Sequence, residues 1–377
     1  MGLRPVCMLL HKTVVHDSRV RREAAALAAS GRRVVVLELD RDARGTLDGF
    51  ERRSAAPAPW VRRVLPFQLY RAVFLATFVR EIARLRPGVV HAHDAAMLLP
   101  GLLGARLVGA RLVYDSHELA TGVPYRDRRW GAFVALVERL AVPRADAVIT
   151  VTGGIAERLR DHYGLAETPA VVRNVCALEA GAPDGTLRAR LGIGTAPLVL
   201  HQGAAAPERG CETLVRAIAL VPEAQLVFLG TGEPGFDAAL AELAAGLGVR
   251  ERVHLCASIP LEELLSRTAE ADVGVTLLQD TCENHRLALP NKLFEYVAAG
   301  VPVVASDLPE LRRAMAELGA GRVVDAGSPE AVAAALRAAL AERGGEAVRA
   351  ASERARSLLS WEHERERLLA VYERALG

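Results

Sequence analysis

Lys292 and Glu295 place two charged side chains in an otherwise apolar helical segment, PNKLFEYVAAG. Pro290 suits the first turn of a helix and Gly300 suits its end, so the segment predicts a short helix. The free N–H groups at its start, together with the helix dipole, favour a bound phosphate, which would offset the unfavourable position of the Lys292 cation. Glu295 follows one turn later on the same edge and can accept two hydrogen bonds from a vicinal diol such as ribose. The alternative interpretation is an ordinary surface ion pair.

The composition predicts a globular protein of about two domains. The chain has 377 residues, of which 51% are hydrophobic and 24% are charged. No apolar run reaches the roughly 18 residues that a membrane span requires, and the first residues do not form a secretory signal, so we expect a cytoplasmic location. The five cysteines are scattered and never in CxxC spacing, which argues against a disulfide framework and against a zinc site.

Charge is distributed unevenly along the chain. Residues 1–180 contain 27 Lys and Arg against 18 Asp and Glu, whereas residues 181–377 contain 20 against 27. The basic half favours contact with an anionic partner or peripheral contact with the inner surface of the membrane, and solvated arginine-rich faces are the alternative. No nucleic-acid partner is expected, because aromatic residues are not interleaved with the basic ones.

Short apolar runs alternate with helical patterns along both halves of the chain, which predicts βαβ units and a doubly wound parallel sheet in each half. Residues 177–195 are rich in Gly and Ala without regular periodicity, and they predict a linker between domains at 1–176 and 196–359. The predicted strands are residues 6–10, 33–39, 88–93, 110–116, 146–152 and 170–175 in the first half, and 196–203, 224–232, 252–258, 272–278, 301–307 and 321–327 in the second.

An amphipathic helix is predicted at residues 360–377. Its apolar stripe contains Leu368, Val371, Tyr372 and Ala375. Such a stripe must be buried, so we expect the helix to pack on one of the two domains.

Ligands of open α/β sheets bind beyond the carboxyl ends of the strands, so the cleft between two such sheets is the expected site. Polar residues follow the predicted strands at those ends. We expect His93 to serve the site, and His91 to point to the opposite face of its strand and to be structural. The polar stretches are residues 11–19, 91–94, 115–118, 203–210, 230–235 and 282–292.

Together with the lysine-containing helix, eight further segments resemble the retaining glycosyltransferases of family 4, in family order along almost the whole chain. That family has GT-B architecture, in which two Rossmann-like domains face a cleft. The segments PNKLFEY and DSRVRRE are similar to one branch of the family. The eight segments are DSRVRREAAALAASGRRVVVL (17–37), VVHAHD (89–94), LVYDSHEL (112–119), VVRNV (171–175), HQGAAAPERGCETLVRAI (201–218), LVFLGTGEPG (226–235), ADVGV (271–275) and SWEHERERLLAVYERAL (360–376).

The resemblance implies that the chain transfers a sugar, with retention, from a nucleotide-diphosphate sugar to an acceptor hydroxyl. UDP-sugars and GDP-sugars are the expected donors, and the acceptor is left open among saccharides, lipid-linked glycans and natural products. The resemblance also implies that Glu295 holds the ribose hydroxyls, that Arg209 grips the diphosphate and that His117 contacts the donor sugar. Further donor contacts are expected from Gly203, Gly230, Thr231, Gly232, Leu289, Pro290 and Asn291.

Catalysis by such an enzyme consists largely of stabilising the negative charge that grows on the departing diphosphate. The expected catalytic residues are His117, Arg209 and Lys292. Because two of them are cations and no DxD motif occupies the position that a metal-using transferase needs, no metal or other cofactor is expected.

The same resemblance implies a division of labour between the domains. The acceptor is expected to bind the domain at 1–176, the nucleotide sugar is expected to bind the domain at 196–359, and the helix at 360–377 is expected to pack back on the first domain. The expected acceptor contacts are Asp17, Arg19, His93 and Glu118.

Two positions depart from the family pattern. Leu287 stands where the family has the first of two glutamates, and Ala204 stands where it has an arginine. Glu283, Asn284 and His285 are the candidates to replace the missing carboxylate. The departures leave two alternatives open, a glycosyltransferase-like partner subunit that does not catalyse and a nucleotide-sugar 2-epimerase on the same architecture. A dehydrogenase is not favoured, because GTGEPG lacks the GxGxxG spacing.

Overall fold

The computed structural model describes residues 4–125, 127–175, 183–232, 235–319 and 321–376. The chain divides into two compact units, which we call unit 1 (residues 1–174 and 362–377) and unit 2 (residues 175–361). Each unit is built around its own sheet of mainly parallel strands, so the α/β fold class predicted from the sequence is confirmed. None of the helices within the described ranges is long and apolar enough to cross a membrane.

Unit 1 contains a sheet of eight strands. Its elements, apart from the last helix of the chain, are β1 (Val6–Leu9), α1 (Ser18–Ala29), β2 (Val34–Glu38), β3 (Thr46–Leu47), β4 (Phe50–Ser54), α2 (Pro59–Val64), α3 (Phe67–Leu85), β5 (Val89–His93), α4 (Asp94–Val108), β6 (Arg111–Ser116), α5 (Arg128–Ala141), β7 (Ala147–Thr150), α6 (Gly153–Tyr163) and β8 (Ala170–Val171). The strand order is β3-β4-β2-β1-β5-β6-β7-β8, and only the β3–β4 pair is antiparallel. Strands β1, β2 and β5 are buried along their whole length, as strands of a sheet covered on both faces should be. The chain places β2 on one side of β1 and β5 on the other, so the switch point of this sheet lies between β1 and β5.

The β3–β4 hairpin is missed by the strand prediction. Arg52 and Arg53 interrupt the apolar pattern of β4, and Arg52 is accommodated because it pairs with the buried Glu38 of β2 at 2.7 Å. Asp48 and Gly49 connect the two strands with φ values of 47° and 86°. Two consecutive residues with positive φ make a type I′ turn, so the Asp-Gly pair is the sequence signal that identifies this hairpin.

Unit 2 contains a sheet of six parallel strands in the order β11-β10-β9-β12-β13-β14. Its elements are α7 (Thr186–Leu191), β9 (Leu198–Gln202), α8 (Cys211–Ala219), β10 (Gln225–Leu229), α9 (Phe236–Gly246), β11 (Val253–Cys256), α10 (Leu261–Thr268), β12 (Val273–Thr276), α11 (Glu283–Leu287), α12 (Asn291–Ala298), β13 (Val303–Ser306), α13 (Pro309–Leu318), β14 (Gly321–Val324), α14 (Pro329–Glu342) and α15 (Glu346–Leu358). Here β10 and β12 lie on opposite sides of β9, so the switch point lies between β9 and β12.

Helix α12 is the helix predicted around Lys292 and Glu295. It begins at Asn291 with Pro290 as its N-cap residue. Gly300 follows the helix with a φ of 73°, the left-handed conformation that glycine adopts without strain at the end of a helix. The prediction of a short helix bounded by proline and glycine therefore holds.

Tyr296 fixes α12 against the end of β9. A Cβ atom at Gly274 of β12 would lie 2.3 Å from the Tyr296 ring, so only glycine allows this approach. The Tyr296 hydroxyl accepts a hydrogen bond from the Gln202 N–H at 2.7 Å and donates one to the Leu200 carbonyl at 3.0 Å. These contacts hold the second turn of α12 beside the carboxyl end of β9.

The last helix, α16 (Trp361–Leu376), groups with unit 1 from Glu362 onward. The Tyr372 hydroxyl lies 2.8 Å from Nδ1 of His91, and the Glu364 carboxylate accepts a hydrogen bond from the Arg173 N–H at 2.8 Å. The chain therefore leaves unit 1, forms unit 2 and returns. The residues of its apolar stripe are all buried, namely Leu368, Val371, Tyr372 and Ala375.

Two boundaries predicted from the sequence need correction. Residues 177–182 of the predicted linker lie outside the described residues, but residues 186–191 form α7. The N–H of Leu187 in this helix donates to the Glu270 carboxylate of unit 2 at 3.0 Å, so this part of the predicted linker belongs to unit 2. A helix of this length is too short for apolar periodicity to reveal. The strand predicted at 170–175 is limited to β8, because only its first two residues pair with β7.

Candidate functional site

A cavity of about 490 Å³ lies in unit 2 at the carboxyl ends of β9 and β10. Gly203 reaches it from β9 and Gly230 reaches it from β10, beside the switch point where open α/β sheets bind their ligands. The predicted donor-site residues that line it are Gly203, Arg209, Gly230, Pro290, Asn291, Lys292 and Glu295.

Two cations converge on Gly203. A Cβ atom at this glycine, whose φ is 90°, would lie 3.7 Å from a guanidinium nitrogen of Arg209 and 3.9 Å from Nζ of Lys292. Burial, followed by the Arg209 charge, lowers the pKa of Lys292 to about 7. A bound diphosphate would supply the negative charge that this pair lacks and would favour the charged form of the lysine.

His201, at the end of β9, holds the lysine in place. Its Nε2 lies 3.3 Å from Nζ of Lys292. Burial, then the charges of Lys292 and Arg209, hold the pKa of His201 well below its ordinary value. The neutral imidazole can therefore accept a hydrogen bond from the ammonium group. Sequence reasoning missed this residue, although it lies in the HQG segment at the end of the predicted strand 196–203.

Glu295 is buried in the cavity wall and is oriented by two polar side chains. The Gln202 side-chain amide donates to the Glu295 carboxylate, and the Gln202 carbonyl oxygen accepts from the Thr268 hydroxyl at 2.7 Å. A carboxylate offers about four lone-pair sites. Glu295 can therefore accept hydrogen bonds from a vicinal diol while it keeps the bond from Gln202.

The glycine-rich loop after β10 presses against the loop after β9. A Cβ atom at Gly230 would lie 2.6 Å from the Gly203 carbonyl carbon. In this loop the Thr231 N–H donates to the Ser258 hydroxyl at 3.1 Å, and the Gly232 N–H lies 3.4 Å from the Asp237 carboxylate. Leu289, which precedes α12, packs against the apolar core of unit 2. Among the described residues that line the cavity, Thr231, Gly232 and Leu289 are absent.

Leu287, the position where the family has a glutamate, is the last residue of α11. Of the three candidates to replace that carboxylate, Asn284 is buried and Glu283 is exposed. His285 faces the Glu208 carboxylate, which lies 3.5 Å from its Nε2. The cavity wall formed by the described residues contains none of the three, so their positions do not support a replacement.

A charged cluster lies at the carboxyl ends of β5 and β6 in unit 1. Nε2 of His117 is 3.1 Å from the Asp115 carboxylate, and its Nδ1 is 3.4 Å from the Asp94 carboxylate. Burial alone would lower the pKa of His117, but the two carboxylates outweigh burial and raise the pKa to about 9. The imidazolium form is therefore the main form at neutral pH, and it donates hydrogen bonds instead of accepting a proton.

Asp94 belongs to the polar stretch 91–94 that is expected at the site, but its pairing with His117 is not predicted from the sequence. It is the first residue of α4 and has a φ of 64°. A residue other than glycine in this region costs of order 1–3 kcal/mol, and such strained residues concentrate at functional sites. Its position directly after a strand, in the motif HAHD, is the reason that the stretch 91–94 is expected at the site.

Arg19 is a buried structural cation, so its predicted role as an acceptor contact is corrected. Its guanidinium is bonded to both oxygens of Asp115, at 2.9 and 2.8 Å, and to the Val172 carbonyl at 2.7 Å. It also lies 3.1 Å from Glu23, and the side chain is 3% exposed. Arg19 therefore positions Asp115, which in turn orients His117.

Replacing Arg19 with methionine is expected to lower the free energy of unfolding by about 3–5 kcal/mol, because the buried Asp115 carboxylate loses its bidentate partner. Arg21→Met on the same helix is the matched control. Arg21 pairs with Asp48 at the surface and is 44% exposed, so its loss is expected to cost about 0–1 kcal/mol. Urea unfolding followed by circular dichroism measures both variants, and equal small losses would contradict a structural role for Arg19.

His93 is also buried, so its predicted contact with the acceptor is corrected. Its Nδ1 lies 3.2 Å from Nε2 of His117, and burial lowers its pKa. The rings of His91 and His93 stack with their centroids 4.1 Å apart. The expectation that they point to opposite faces is therefore wrong, because residues two apart on a strand lie on the same face.

The other two predicted acceptor contacts lie at the same edge of the sheet. The Asp17 carboxylate caps α1 by accepting a hydrogen bond from the Val20 N–H at 3.1 Å, and it pairs with Nζ of Lys12 at 3.2 Å. Glu118 is exposed and directly follows His117. Glu118 is therefore next to the cluster in the chain, and the Asp17 carboxylate is close enough to His117 for their charges to interact.

The lysines are a further signal that the sequence-based prediction did not use. Of the 47 lysine and arginine residues, only Lys12 and Lys292 are lysine. Lys292 lines the cavity of unit 2, and Lys12 pairs with Asp17 in unit 1. A lysine carries a compact charge whose pKa responds to burial, whereas an arginine remains charged. In an arginine-rich chain the two lysines therefore mark the two candidate sites.

Four buried side chains of unit 1, Glu23, His91, His93 and Asp115, are close enough together to bind a metal ion, since one ligand atom of each lies within 4.8 Å of the others. The Arg19 guanidinium already contacts Asp115 and Glu23 and supplies positive charge there. Burial raises the pKa of Glu23 to about 8. The EDTA experiment proposed below tests whether sugar transfer requires a metal ion.

Comparison with known families identifies both units. The family model described as Glycosyltransferase Family 4 matches residues 18–178, and the model described as Glycosyl transferases group 1 matches residues 196–342. These two ranges contain the charged cluster of unit 1 and the cavity of unit 2.

Relatives with assigned names extend over most of the chain. The D-inositol 3-phosphate glycosyltransferase of Xylanimonas cellulosilytica is 31% identical over 337 residues, which cover 82% of this chain and 78% of the relative. The protein of the same name from Geodermatophilus obscurus is 29% identical over 330 residues, which cover 82% of this chain and 71% of the relative.

Solved structures share the fold over nearly the whole chain. Sucrose-phosphate synthase from Thermosynechococcus elongatus superposes with a TM-score of 0.79 at 21% identity and covers 98% of both chains. The Anabaena protein HepE in complex with UDP-glucose superposes with a TM-score of 0.78 at 16% identity and covers 98% of this chain and 99% of that one. The chain therefore belongs to family 4 of the glycosyltransferases, and it is a glycosyltransferase enzyme with the GT-B fold.

Proposed function

We propose that this glycosyltransferase moves a sugar from a nucleoside-diphosphate sugar to an acceptor hydroxyl, with retention and without a metal ion. The observation that supports the donor is the cavity of unit 2, which combines two cations, Arg209 and Lys292, with a diol-binding carboxylate, Glu295. This set of groups is complementary to a diphosphate joined to a ribose.

The cations also account for the proposed chemistry. When the anomeric C–O bond breaks, negative charge grows on the departing diphosphate. Arg209, Lys292 and the N–H groups at the start of α12 would stabilise that charge without reorganisation. This arrangement supplies, from the protein itself, the positive charge that a metal ion provides in other transferases.

UDP is the first nucleotide to test. HepE, whose structure is similar, was solved with UDP and with UDP-glucose. A GDP-sugar is the second candidate donor, because Glu295 and the two cations contact the ribose and diphosphate in this proposal and leave the base unspecified.

We assign to the Nδ1–H of His117 the role of a hydrogen-bond donor to the sugar during transfer, while its Nε2–H stays bonded to Asp115. Its pKa of about 9 makes it unsuited to act as a general base at neutral pH. In the retaining route that we propose, an oxygen of the leaving phosphate accepts the proton of the acceptor hydroxyl. The imidazolium, neutralised by Asp115 and Asp94, would hold the sugar without leaving an isolated charge beside it.

A thermal-shift panel of UDP, GDP, ADP and CDP tests the donor site. A nucleotide present at 100 times its dissociation constant is expected to add about 2.7 kcal/mol of stability. Glu295→Ala is expected to weaken that nucleotide about 10–100-fold, since a hydrogen bond to a charged group contributes about 1.5–3 kcal/mol. Glu223→Ala, an exposed position of the same unit, is the control. Equal affinity in Glu295→Ala and the parent would remove the basis of the assignment.

Release of the nucleoside diphosphate, measured with and without acceptor and in EDTA, separates the remaining alternatives. Acceptor-dependent release that persists in EDTA is expected. The recovered nucleotide sugar is analysed as well, and its conversion to the 2-epimer without acceptor would favour a 2-epimerase. Binding without release for any acceptor would favour a partner subunit that does not catalyse, and loss of release in EDTA would show that a metal is required.

A further inference from the structure

A second cavity, of about 520 Å³, lies in unit 1 and has mainly apolar walls. Leu75, Leu99, Phe74, Trp130 and Phe133 line it, and each is only half-buried. Apolar side chains that remain partly exposed inside a concave space of roughly 300–1,000 Å³ are typical of a small-molecule site. Nothing in the proposed chemistry at the donor site uses this cavity.

The cavity adjoins the charged cluster around His117. His11, which follows β1, and Ala95, which follows Asp94, both line it. Asp94 is the residue whose carboxylate lies 3.4 Å from Nδ1 of His117. This end of the cavity is therefore at the switch point between β1 and β5, where a ligand of the sheet is expected.

An aromatic stack forms one wall of the cavity. The rings of Trp130 and Phe133 lie nearly parallel, with centroids 5.4 Å apart, and the guanidinium carbon of Arg71 lies 4.2 Å from each centroid. The arginine is thus held against the rings by cation–π contact. Such a wall offers a large rigid apolar surface to a ring or chain, with one cation at its edge.

We propose that the acceptor carries its reactive hydroxyl on an apolar ring or chain system, and that this apolar body occupies the unit 1 cavity with the hydroxyl at the His11 and Ala95 end. The proposal rests on the proposed function, because it assumes that unit 1 binds the acceptor. It predicts a difference from the relatives named for D-inositol 3-phosphate, since a polyol phosphate would leave its hydroxyl groups unpaired against Phe74, Leu99 and Trp130.

Binding of 1-anilinonaphthalene-8-sulfonate, measured by its fluorescence, tests the cavity directly. Saturable binding is expected, with displacement by 4-methylumbelliferone, an apolar ring that carries a hydroxyl. Ala96→Phe, which fills the cavity, and Leu99→Asn, which makes its wall polar, are expected to weaken binding at least about tenfold. Leu103→Asn is the matched control, since Leu103 lies one turn further along α4 and is 40% exposed. Unchanged binding in both cavity variants would overturn the proposal.

Sugar transfer tests the role of the cavity as the acceptor site. With the nucleotide sugar chosen from the thermal-shift panel, 4-methylumbelliferone is expected to stimulate release of the nucleoside diphosphate. Leu99→Asn is expected to raise its KM at least about tenfold while the thermal shift with the nucleotide stays as in the parent. Leu103→Asn is expected to behave like the parent in both measurements.

Several results would overturn this proposal while leaving the donor site intact. One is stimulation by D-inositol 3-phosphate that the fluorescent probe does not inhibit, and another is a lack of stimulation by 4-methylumbelliferone. A third is binding to phosphatidylglycerol vesicles that Leu99→Asn abolishes, which would assign the cavity to a membrane. A protein that no nucleotide stabilises would instead contradict the proposed function itself.

Discussion

Replacing His117 with alanine is expected to reduce the rate of sugar transfer by about 10²–10³-fold, the usual effect of removing one hydrogen-bond donor that acts on the transition state. The affinity for the nucleotide sugar is expected to stay within about twofold of the parent, because the proposed contacts of the nucleotide are all in unit 2. Steady-state kinetics give kcat, and thermal shifts give the affinity. A variant with normal kcat would contradict the proposed role.

The pH profile separates a chemical role of His117 from a structural one. Only the imidazolium carries a proton on both ring nitrogens, and the pKa of His117 is about 9. Above that pH the remaining proton is expected to stay on Nε2 beside Asp115, so the parent kcat at saturating nucleotide sugar is expected to be constant from neutral pH up to about 9 and to fall above it. His117→Gln retains a donor that does not titrate, and its lower rate is expected to lack this fall. His162→Ala, at an exposed histidine of α6, is the control and should reproduce the parent profile.

The affinity for a nucleotide sugar is expected to fall as the pH rises above about 7, because the free protein then loses the ammonium charge of Lys292. Below that pH the lysine is charged before binding, so the affinity is expected to be flat. Above it the diphosphate must recruit a proton, so the affinity should fall up to about tenfold per pH unit until the pKa of the bound state is reached. A nucleotide sugar is the right probe, since its diphosphate diester has no proton to lose in this range.

Lys292→Met should remove this dependence and weaken binding about 10–100-fold at pH 6.5, through the loss of a charge-assisted contact. The parent should take up a proton on binding at pH 8, which calorimetry detects as a dependence of the heat on the buffer. Lys12→Met, at the other lysine, is the matched control and should retain the dependence. A parent with the same affinity at pH 6.5 and 8.5 would contradict the proposed uptake of a proton by Lys292 on binding, and a Lys292→Met variant with the parent's affinity at pH 6.5 would contradict its contact with the diphosphate.

Much of unit 2 could be predicted from the sequence because its signals are local. Each strand is a short apolar run, and the glycines that let the loops after β9 and β10 approach each other lie directly after those runs. The proline before α12 and the lysine and glutamate inside it fall within a few residues of one another, so spacing alone brings Lys292 and Glu295 to one edge. What spacing did not reveal is the support from His201, Gln202 and Thr268, which come from other elements.

Unit 1 could be predicted less well because its contacts join distant parts of the chain. Arg19 and Asp115 are separated by 96 positions, so the sequence does not show that Arg19 is buried against its partner. The burial of His93 beside His117, which lies 24 positions further along the chain, is hidden from the sequence in the same way. The pairing of Asp94 with His117 likewise connects two strand ends. The feature that sets Asp94 apart is its positive φ, which cannot be read from the sequence.

The return of α16 to unit 1 determines when that unit can be completed during synthesis. Tyr372, which contacts His91, and Glu364, which accepts the Arg173 N–H, emerge from the ribosome only after all of unit 2 has been made. Until then unit 1 of the nascent chain has an uncovered surface beside His91 and His93. A premature stop codon before residue 361 would thus release a polypeptide that contains every proposed donor and catalytic residue but leaves this surface accessible to chaperones and proteases.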